Sequence, residues 1–376
     1  MASLSLQVRL LAGIGDVDAA SWDALVPADN PFLEHAFLLA LERSGSASPE
    51  QGWVPMHLVA EENNALVAAL PLYLRADSYG EYVFDWAWAN GARRAGIPYY
   101  PKLTTAVPFT PSSTGRVLGD IGALPALSQA VAELASRTRA SSHHVLFCTE
   151  AESTALSQHG YLPRVGLQFH WNDAGYGDFA GFLSALTSKR RKELNRERRQ
   201  VSDAGIEVRC VAGQDLTVDE LRFLHRCYQD TIGKNGAIPY LQPAFWMNEL
   251  PILAPRVLAV LAYRGTELIA GALNLWRGRV VYGRYWGCTE DIRGLHFEVC
   301  YHQLVEWALA NGLTRVEAGA QGEHKLQRGF LPSITHSAHH IREPRLRAAV
   351  ERFCADERLG VEAAVEEYGK HGPFRA

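Results

Sequence analysis

The chain has no Cys-x-x-Cys pair, no long apolar run and no marked excess of either charge. Each absence removes a class of protein. The cysteines Cys148, Cys210, Cys227, Cys288, Cys300 and Cys354 stand far apart, so a disulfide framework and a zinc site are excluded and the thiols read as reduced and packed. No His-Glu-x-x-His stretch occurs, and no metal is expected. Neither a Gly-x-Ser-x-Gly turn nor a cysteine–histidine signature is present, which argues against a covalent acyl-enzyme. No apolar run approaches the ~20 residues that cross a bilayer. The first twenty residues lack a basic region ahead of a long apolar core, so they do not read as a signal peptide. A cytoplasmic protein without integral membrane contact is expected. With 37 Lys and Arg against 41 Asp and Glu, any polyanion site must be local, and DNA is not an expected partner.

What is present is globular. A length of 376 residues exceeds one ordinary core, and 47% hydrophobic with 21% charged residues is a soluble composition. Patterning predicts a strand over 6–11, short helices over 16–25 and 31–45, and a hairpin over 56–74. It predicts an aromatic third strand over 82–89 and then a long loop over 90–123, rich in Pro, Gly, Tyr and Thr. A helix (124–139), a strand (144–149) and a short helix (151–159) follow. The second half offers a hairpin (258–276), a strand (280–286), a helix (296–311) and a strand at 315–318.

The halves repeat. ALVAALPLYL at 65 resembles LIAGALNLW at 268, an offset of 203, and HGYLPRVGLQFHW at 159 resembles RGFLPSITHSAHH at 328, an offset of 169. One insertion of about the length of the 90–123 loop accounts for both offsets. The expected architecture is α+β: a first domain over 1–175, a basic connecting helix over 176–205 and a second domain over 206–376 that includes the C-terminal helix.

Two stretches stand out chemically. KRRKELNRERR (189–199) has seven basic residues against two Glu, more than local pairing needs, and Lys189, Arg190, Arg191, Lys192 and Arg196 are candidates for a polyanion surface. GAQGEHKLQRGFLP (319–332) follows a strand and packs acid, base and cation between glycines; as an α-helical turn, His324 and Arg328 share one face and Glu323 and Gln327 the next.

The order of elements, twice over, resembles the acyl-CoA N-acyltransferase (GNAT) fold in tandem. The strings PYYPKLTTAVPFTP, YGRYWG, LHFEVCYHQ and EAGAQGEHKLQRGFLP resemble the FemAB-like branch, the predicted N-acyltransferases of peptidoglycan biosynthesis and recognition. The resemblance implies two tandem GNAT-like domains, each with a mixed, mostly antiparallel sheet. FemAB-type enzymes move an aminoacyl group from tRNA to an amine acceptor, and the basic helix fits their tRNA-facing insertion. CoA-using relatives dock pyrophosphate at a glycine turn before a helix; here that place reads CTEDIRGLHFE, with Glu290 and Asp291 in the way.

Acyl transfer to an amine needs a proton acceptor and donors aimed at the oxyanion. Glu317, Glu323 and His324 are the catalytic candidates. Substrate-binding candidates are Gln321, Lys325 and Arg328 in the motif, His296 and Glu298 on the preceding helix, Tyr282 and Arg284 on one face of a strand, and Tyr100 and Lys102 in the long loop, read as lining a groove between the halves. No bound cofactor is expected, with acyl-CoA open as a co-substrate. Three readings stay open: aminoacyl transfer from tRNA, CoA-dependent N-acetylation, and non-catalytic binding of a peptide or cell-wall fragment.

Overall fold

The computed structural model describes residues 6–234, 236, 238–319 and 322–375. They form two compact units, each built from separate stretches of chain. The first comprises Met1–Pro27, Phe32–Leu167 and Ile334–Ala363; the second comprises Ala28–Pro31, Gln168–Ser333 and Ala364–Ala376.

The first unit begins with β1 (Gln7–Leu11), α1 (Ala19–Asp23), α2 (His35–Arg43), β2 (Trp53–Pro55), β3 (His57–Glu62), β4 (Ala65–Leu70) and β5 (Leu72–Arg75). It continues with α3 (Trp86–Arg94), β6 (Lys102–Thr105), β7 (Leu118–Gly119), α4 (Leu124–Thr138), β8 (Ser142–Cys148), α5 (Glu150–Ser157) and the start of β9 (Leu162–Asn172). Strands β1, β3, β4 and β7 form one sheet. Pro71 interrupts the second hairpin arm: it has no N–H for the ladder, and the chain passes from β4 into β5, which pairs with β2 and β6 instead. Helix α4 closes this core by placing Leu127, Val131 and Leu134, spaced 4 and 3, against Leu58, Leu103 and Val145.

The second unit holds the rest of β9, then α6 (Phe179–Ala185), α7 (Ser188–Asp203), β10 (Ile206–Ala212), α8 (Val218–Lys234), β11 (Val257–Arg264), β12 (Glu267–Arg277) and β13 (Val280–Cys288). Next, α9 (Leu295–Phe297) runs through a π-helical turn at Glu298–His302 into α10 (Gln303–Ala310), followed by β14 (Arg315–Glu317), a 3₁₀ turn at Glu323–Arg328 and β15 (Leu331–Ile341). Neighbouring strands from β10 to β13 are antiparallel; β14 lies parallel to β13 and antiparallel to residues 170–172 of β9. The first unit has the same plan, with β6 and β8 as its parallel pair. The fold is α+β with GNAT-type element order in each unit.

Three sequence expectations need correction. Residues 82–89 are not a strand: α3 starts at Trp86, and Trp88 and Ala92, four apart, face inward while Trp86 faces solvent. The third strand is β6, inside the expected loop of 90–123. Finally, most of the C-terminal helix α11 (Pro344–Lys370) belongs to the first unit. Residues 336–341 of β15 pair with β8, and Leu346, Val350 and Cys354 then pack beside Trp88 and Leu162.

Candidate functional site

The 319–332 stretch is a shelf at the end of the short parallel strand β14. Its turn is a 3₁₀ helix, which has three residues per turn, so side chains three apart share a face. Lys325 and Arg328 therefore point inward together, 1% and 6% exposed, while His324 and Gln327 face solvent. The α-helical spacing that joined His324 to Arg328 does not apply. The shelf ends at Gly329, whose φ is 91° and where a Cβ would lie 2.8 Å from the Phe182 ring, so only glycine closes it.

The two inward cations hold the shelf and are not free for a substrate carboxylate or phosphate, as the sequence suggested. Lys325 Nζ donates to the Gly319 carbonyl at 2.7 Å, and burial lowers its pKa to about 8. Arg328 grips the Glu197 carboxylate of α7 with Nε at 3.2 Å and Nη2 at 2.5 Å. It also donates to the His324 carbonyl at 2.7 Å and lies 3.3 Å from the Phe297 ring centroid. Glu197 also meets His302 at 3.0 Å. Burial pushes the Glu197 carboxyl up, but the His302 hydrogen bond and Arg328 outweigh it, and the net shift is downward.

His324 sits on this shelf with Nε2 3.0 Å from the Tyr301 hydroxyl. Its ring edges onto those of Tyr301, Phe297 and His296, 5.7, 5.7 and 6.0 Å away. Partial burial, then Arg328 and Lys325, depress its pKa, so the imidazole is neutral near pH 7. His296, packed against Trp286 at 4.8 Å, is lowered by burial to about 4.

The other candidates scatter. Glu317 is 4% exposed and ion-paired to Arg315 at 2.7 Å, with His170 at 3.9 Å. Glu298 is buried in the π turn between Arg198 (3.3 Å) and Gln303 (2.7 Å). Tyr282 is 4% exposed and its hydroxyl donates to the Asp29 carbonyl, which makes it a packing residue rather than a substrate contact. Tyr282 and Arg284 do not share regular strand geometry either. A bulge skips Arg284 in the ladder, and its guanidinium lies over the ring of its neighbour Tyr285. Lys102 is fully buried between Glu81 (2.7 Å) and Asp85 (2.5 Å), so it cannot reach a substrate; Tyr100 is half-buried and bonded to Ser78. Gln321 and the side chain of Glu323 lie outside the described residues.

Helix α7 sorts its charges by face. Leu194 and Val201 are buried. Arg198 turns to Glu298 and Glu306, and Arg190 to Glu193 and Gln327. Lys189, Lys192, Arg196 and Arg199 fall at i, i+3, i+7 and i+10, one exposed row along ~15 Å of helix with no carboxylate partner among the described residues. Arg191 is partly buried.

Where a CoA-type pyrophosphate turn would open helix α9, Gly294 has φ 86° and sits against the α7 backbone. A Cβ there would lie 3.1 Å from the Glu197 carbonyl oxygen. Glu290 beside it is engaged by Arg264 at 2.7 Å. Among the described residues no group of three His, Cys, Asp or Glu could hold a metal, and no helix is long and apolar enough to cross a membrane.

Sequence reasoning missed Glu197 and Tyr301. The signal for Glu197 was its spacing: three after Leu194 and four before Val201, it lies on the apolar stripe of an otherwise charged helix.

The chain belongs to the FemAB-like family, described as peptidoglycan biosynthesis/recognition, which it matches over residues 13–376. No curated protein matches its sequence. Among solved structures, L-PGS from Bacillus licheniformis is 11% identical, with 90% of this chain and 97% of that one covered at a TM-score of 0.54. FemX is 10% identical over 82% and 93%, with a TM-score of 0.51. A tandem GNAT protein from the clavulanic acid biosynthesis pathway is 13% identical over 90% and 99%, with a TM-score of 0.46. At these identities the likeness concerns the fold.

Proposed function

We propose that the protein is an N-acyltransferase of FemAB type, which carries an aminoacyl group from the ester of aminoacyl-tRNA to an amine on a peptidoglycan precursor. The observation that carries this reading is His324: a neutral imidazole at the solvent edge, oriented by Tyr301 and seated on a shelf that Lys325 and Arg328 make rigid. With Nε2–H given to Tyr301, Nδ1 accepts the proton. The amine nitrogen attacks the ester carbonyl carbon, the C–N bond forms and the ester C–O bond breaks. The proton taken by His324 then passes to the departing hydroxyl oxygen.

The exposed row of Lys189, Lys192, Arg196 and Arg199 supports a polyanionic donor, because it is a run of cations with no internal partner among the described residues. Acyl-CoA is disfavoured as donor: a carbonyl oxygen from α7 faces the turn where its pyrophosphate would sit. The reaction needs no resident cofactor, and its donor is a cytoplasmic species, which sets the proposed location. The test incubates the purified protein with a muramyl pentapeptide precursor and either labelled aminoacyl-tRNA or acetyl-CoA, and follows the acceptor by mass. Addition of an aminoacyl residue from tRNA is expected; acetylation from CoA alone contradicts the reading.

A further inference from the structure

One face of helix α4 carries only small side chains, Ser128, Ala132, Ala135 and Ser136, at i, i+4, i+7 and i+8. They fill too little of the space beside β8 and β15, and a cavity of about 230 Å³ opens there within the first unit. That is below the usual range for drug-sized ligands and suits a small ion. The remaining wall comes from three other stretches: Ser142 and His143 of β8, His159 and Tyr161 after α5, and His340 and Arg342 at the end of β15.

This lining holds cationic and proton-binding groups but, among the described residues, no Asp or Glu. Arg342 donates to the Ala135 and Ala140 carbonyls at 3.2 and 3.0 Å and to Ser136 Oγ at 3.2 Å. Those acceptors are neutral, and the helix end contributes only about half a negative charge, so the guanidinium keeps a net positive charge. His143 belongs to the core: its ring nitrogens meet Tyr161 at 2.6 Å and Thr105 at 2.9 Å, and burial lowers its pKa to about 3. His159 and His340 differ. Neither ring has a hydrogen-bond partner among the described residues, and one is exposed while the other is half-buried. Ser128 Oγ is shielded from water and also lacks a partner, a state that buried hydroxyls rarely keep.

The charges that act on His340 are positive. Burial, then Arg347 and Arg342, hold its imidazole below the usual histidine range. Tyr161 packs against it with ring centroids 5.3 Å apart, and neutral His143 stands opposite it in the strand pairing. Arg347 of α11 donates to the Gly160 carbonyl at 2.6 Å and has no carboxylate partner among the described residues. The acids that follow in the chain are engaged elsewhere: Glu343 pairs with Arg345 at 2.9 Å, and Glu133 accepts from Gln129 at 3.1 Å. An anion is therefore the partner this wall lacks. Hydroxyl, imidazole and guanidinium donors arriving from several chain segments suit a tetrahedral oxyanion better than the two oxygens of a planar carboxylate.

We propose that this cavity binds a small tetrahedral oxyanion of the phosphate class, with Ser128, His159, His340 and Arg342 as its donors. The guest brings a proton to His340, because the imidazolium gains the counter-charge it otherwise lacks. Affinity therefore rises as pH falls through the histidine range. The test titrates the full-length protein by calorimetry at pH 8 and pH 6 with sulfate, whose own charge is constant between them. The His340 imidazole signal is followed by NMR. Sulfate is expected to bind about tenfold tighter at pH 6, to raise the pH midpoint of the His340 signal, and to be displaced by inorganic phosphate but not by acetate. His340→Gln and Ser128→Ala, checked by melting curves, are expected to bind more weakly, and His340→Gln to lose most of the pH dependence. Should a variant fail to fold, the His340 signal of the parent protein decides. No sulfate binding at pH 6, equal affinity at both pH values, or a His340 signal indifferent to sulfate would overturn the proposal. So would acetate competing as well as phosphate, or full pH dependence in a folded His340→Gln.

Discussion

Replacing Glu197 by Leu removes the carboxylate that grips Arg328, at 2.5 and 3.2 Å, and also faces His302 at 3.0 Å. Arg328 is 7% exposed at its side chain and Glu197 16%, so the substitution leaves a guanidinium that water barely reaches. Breaking such a pair costs about 3 kcal/mol, the low end for buried pairs because Glu197 keeps some exposure to solvent. For a unit of this size that corresponds to a fall in melting temperature of roughly 6–12 °C. The double variant Glu197→Leu/Arg328→Leu removes both charges and is expected to recover much of the loss, since a buried pair exchanged for apolar side chains is often neutral. Calorimetry of both single variants and the double variant gives the coupling directly. The sign with pH follows from the depressed carboxyl: its stabilisation is present above the ordinary glutamate pKa and disappears as pH falls through the lower folded value. A Glu197→Leu protein melting within 1 °C of its parent would refute the idea that this pair carries the shelf.

Reversing Lys189, Lys192 and Arg196 to Glu is expected to weaken tRNA binding uniformly across sequences. The salt slope should fall by about 0.7–0.9 for each phosphate that is no longer neutralised, measured by filter binding between 50 and 200 mM salt. Acid should open the first unit early. His143, His144 and His339 are buried and neutral, His143 lowered to about 3 by burial, so the unfolded chain takes up their protons first and stability falls as pH drops below 6.5. Three such groups give a slope near 4 kcal/mol per pH unit, visible in melts at pH 7, 6 and 5. Lys102→Met leaves Glu81 and Asp85 without their shared cation and should destabilise the first unit by about 3–5 kcal/mol, read by denaturant melts.

Much of the second unit was legible because its elements obey local rules. The strands at 257–288 alternate or run apolar, α7 is capped by Thr187, and β14 runs into a glycine-flanked motif. The first unit hid its third strand because KLTT is short and fully buried, while Trp86 and Trp88 mimic the alternation of a strand although they belong to a helix. The repeat was readable in Pro71 and Asn274, 203 apart, one ending a strand and the other beside a bulge. The site was legible in composition but not in direction. Side chains at 323–328 change face when the turn is 3₁₀ rather than α, which sent Lys325 and Arg328 inward. Lys102 was misjudged because its partners, Glu81 and Asp85, lie 21 and 17 residues away, in or next to a segment read as a strand.

The most direct test of the central claim is the pH dependence of kcat/KM for aminoacyl transfer in the parent protein and in His324→Gln. The account expects an acid limb with its midpoint below 6.5 in the parent, because burial and the neighbouring cations depress His324. In His324→Gln that limb should vanish and the rate fall by about 10²–10⁴ without change in melting temperature. An unaltered limb in the variant, or a variant as active as its parent, would contradict it.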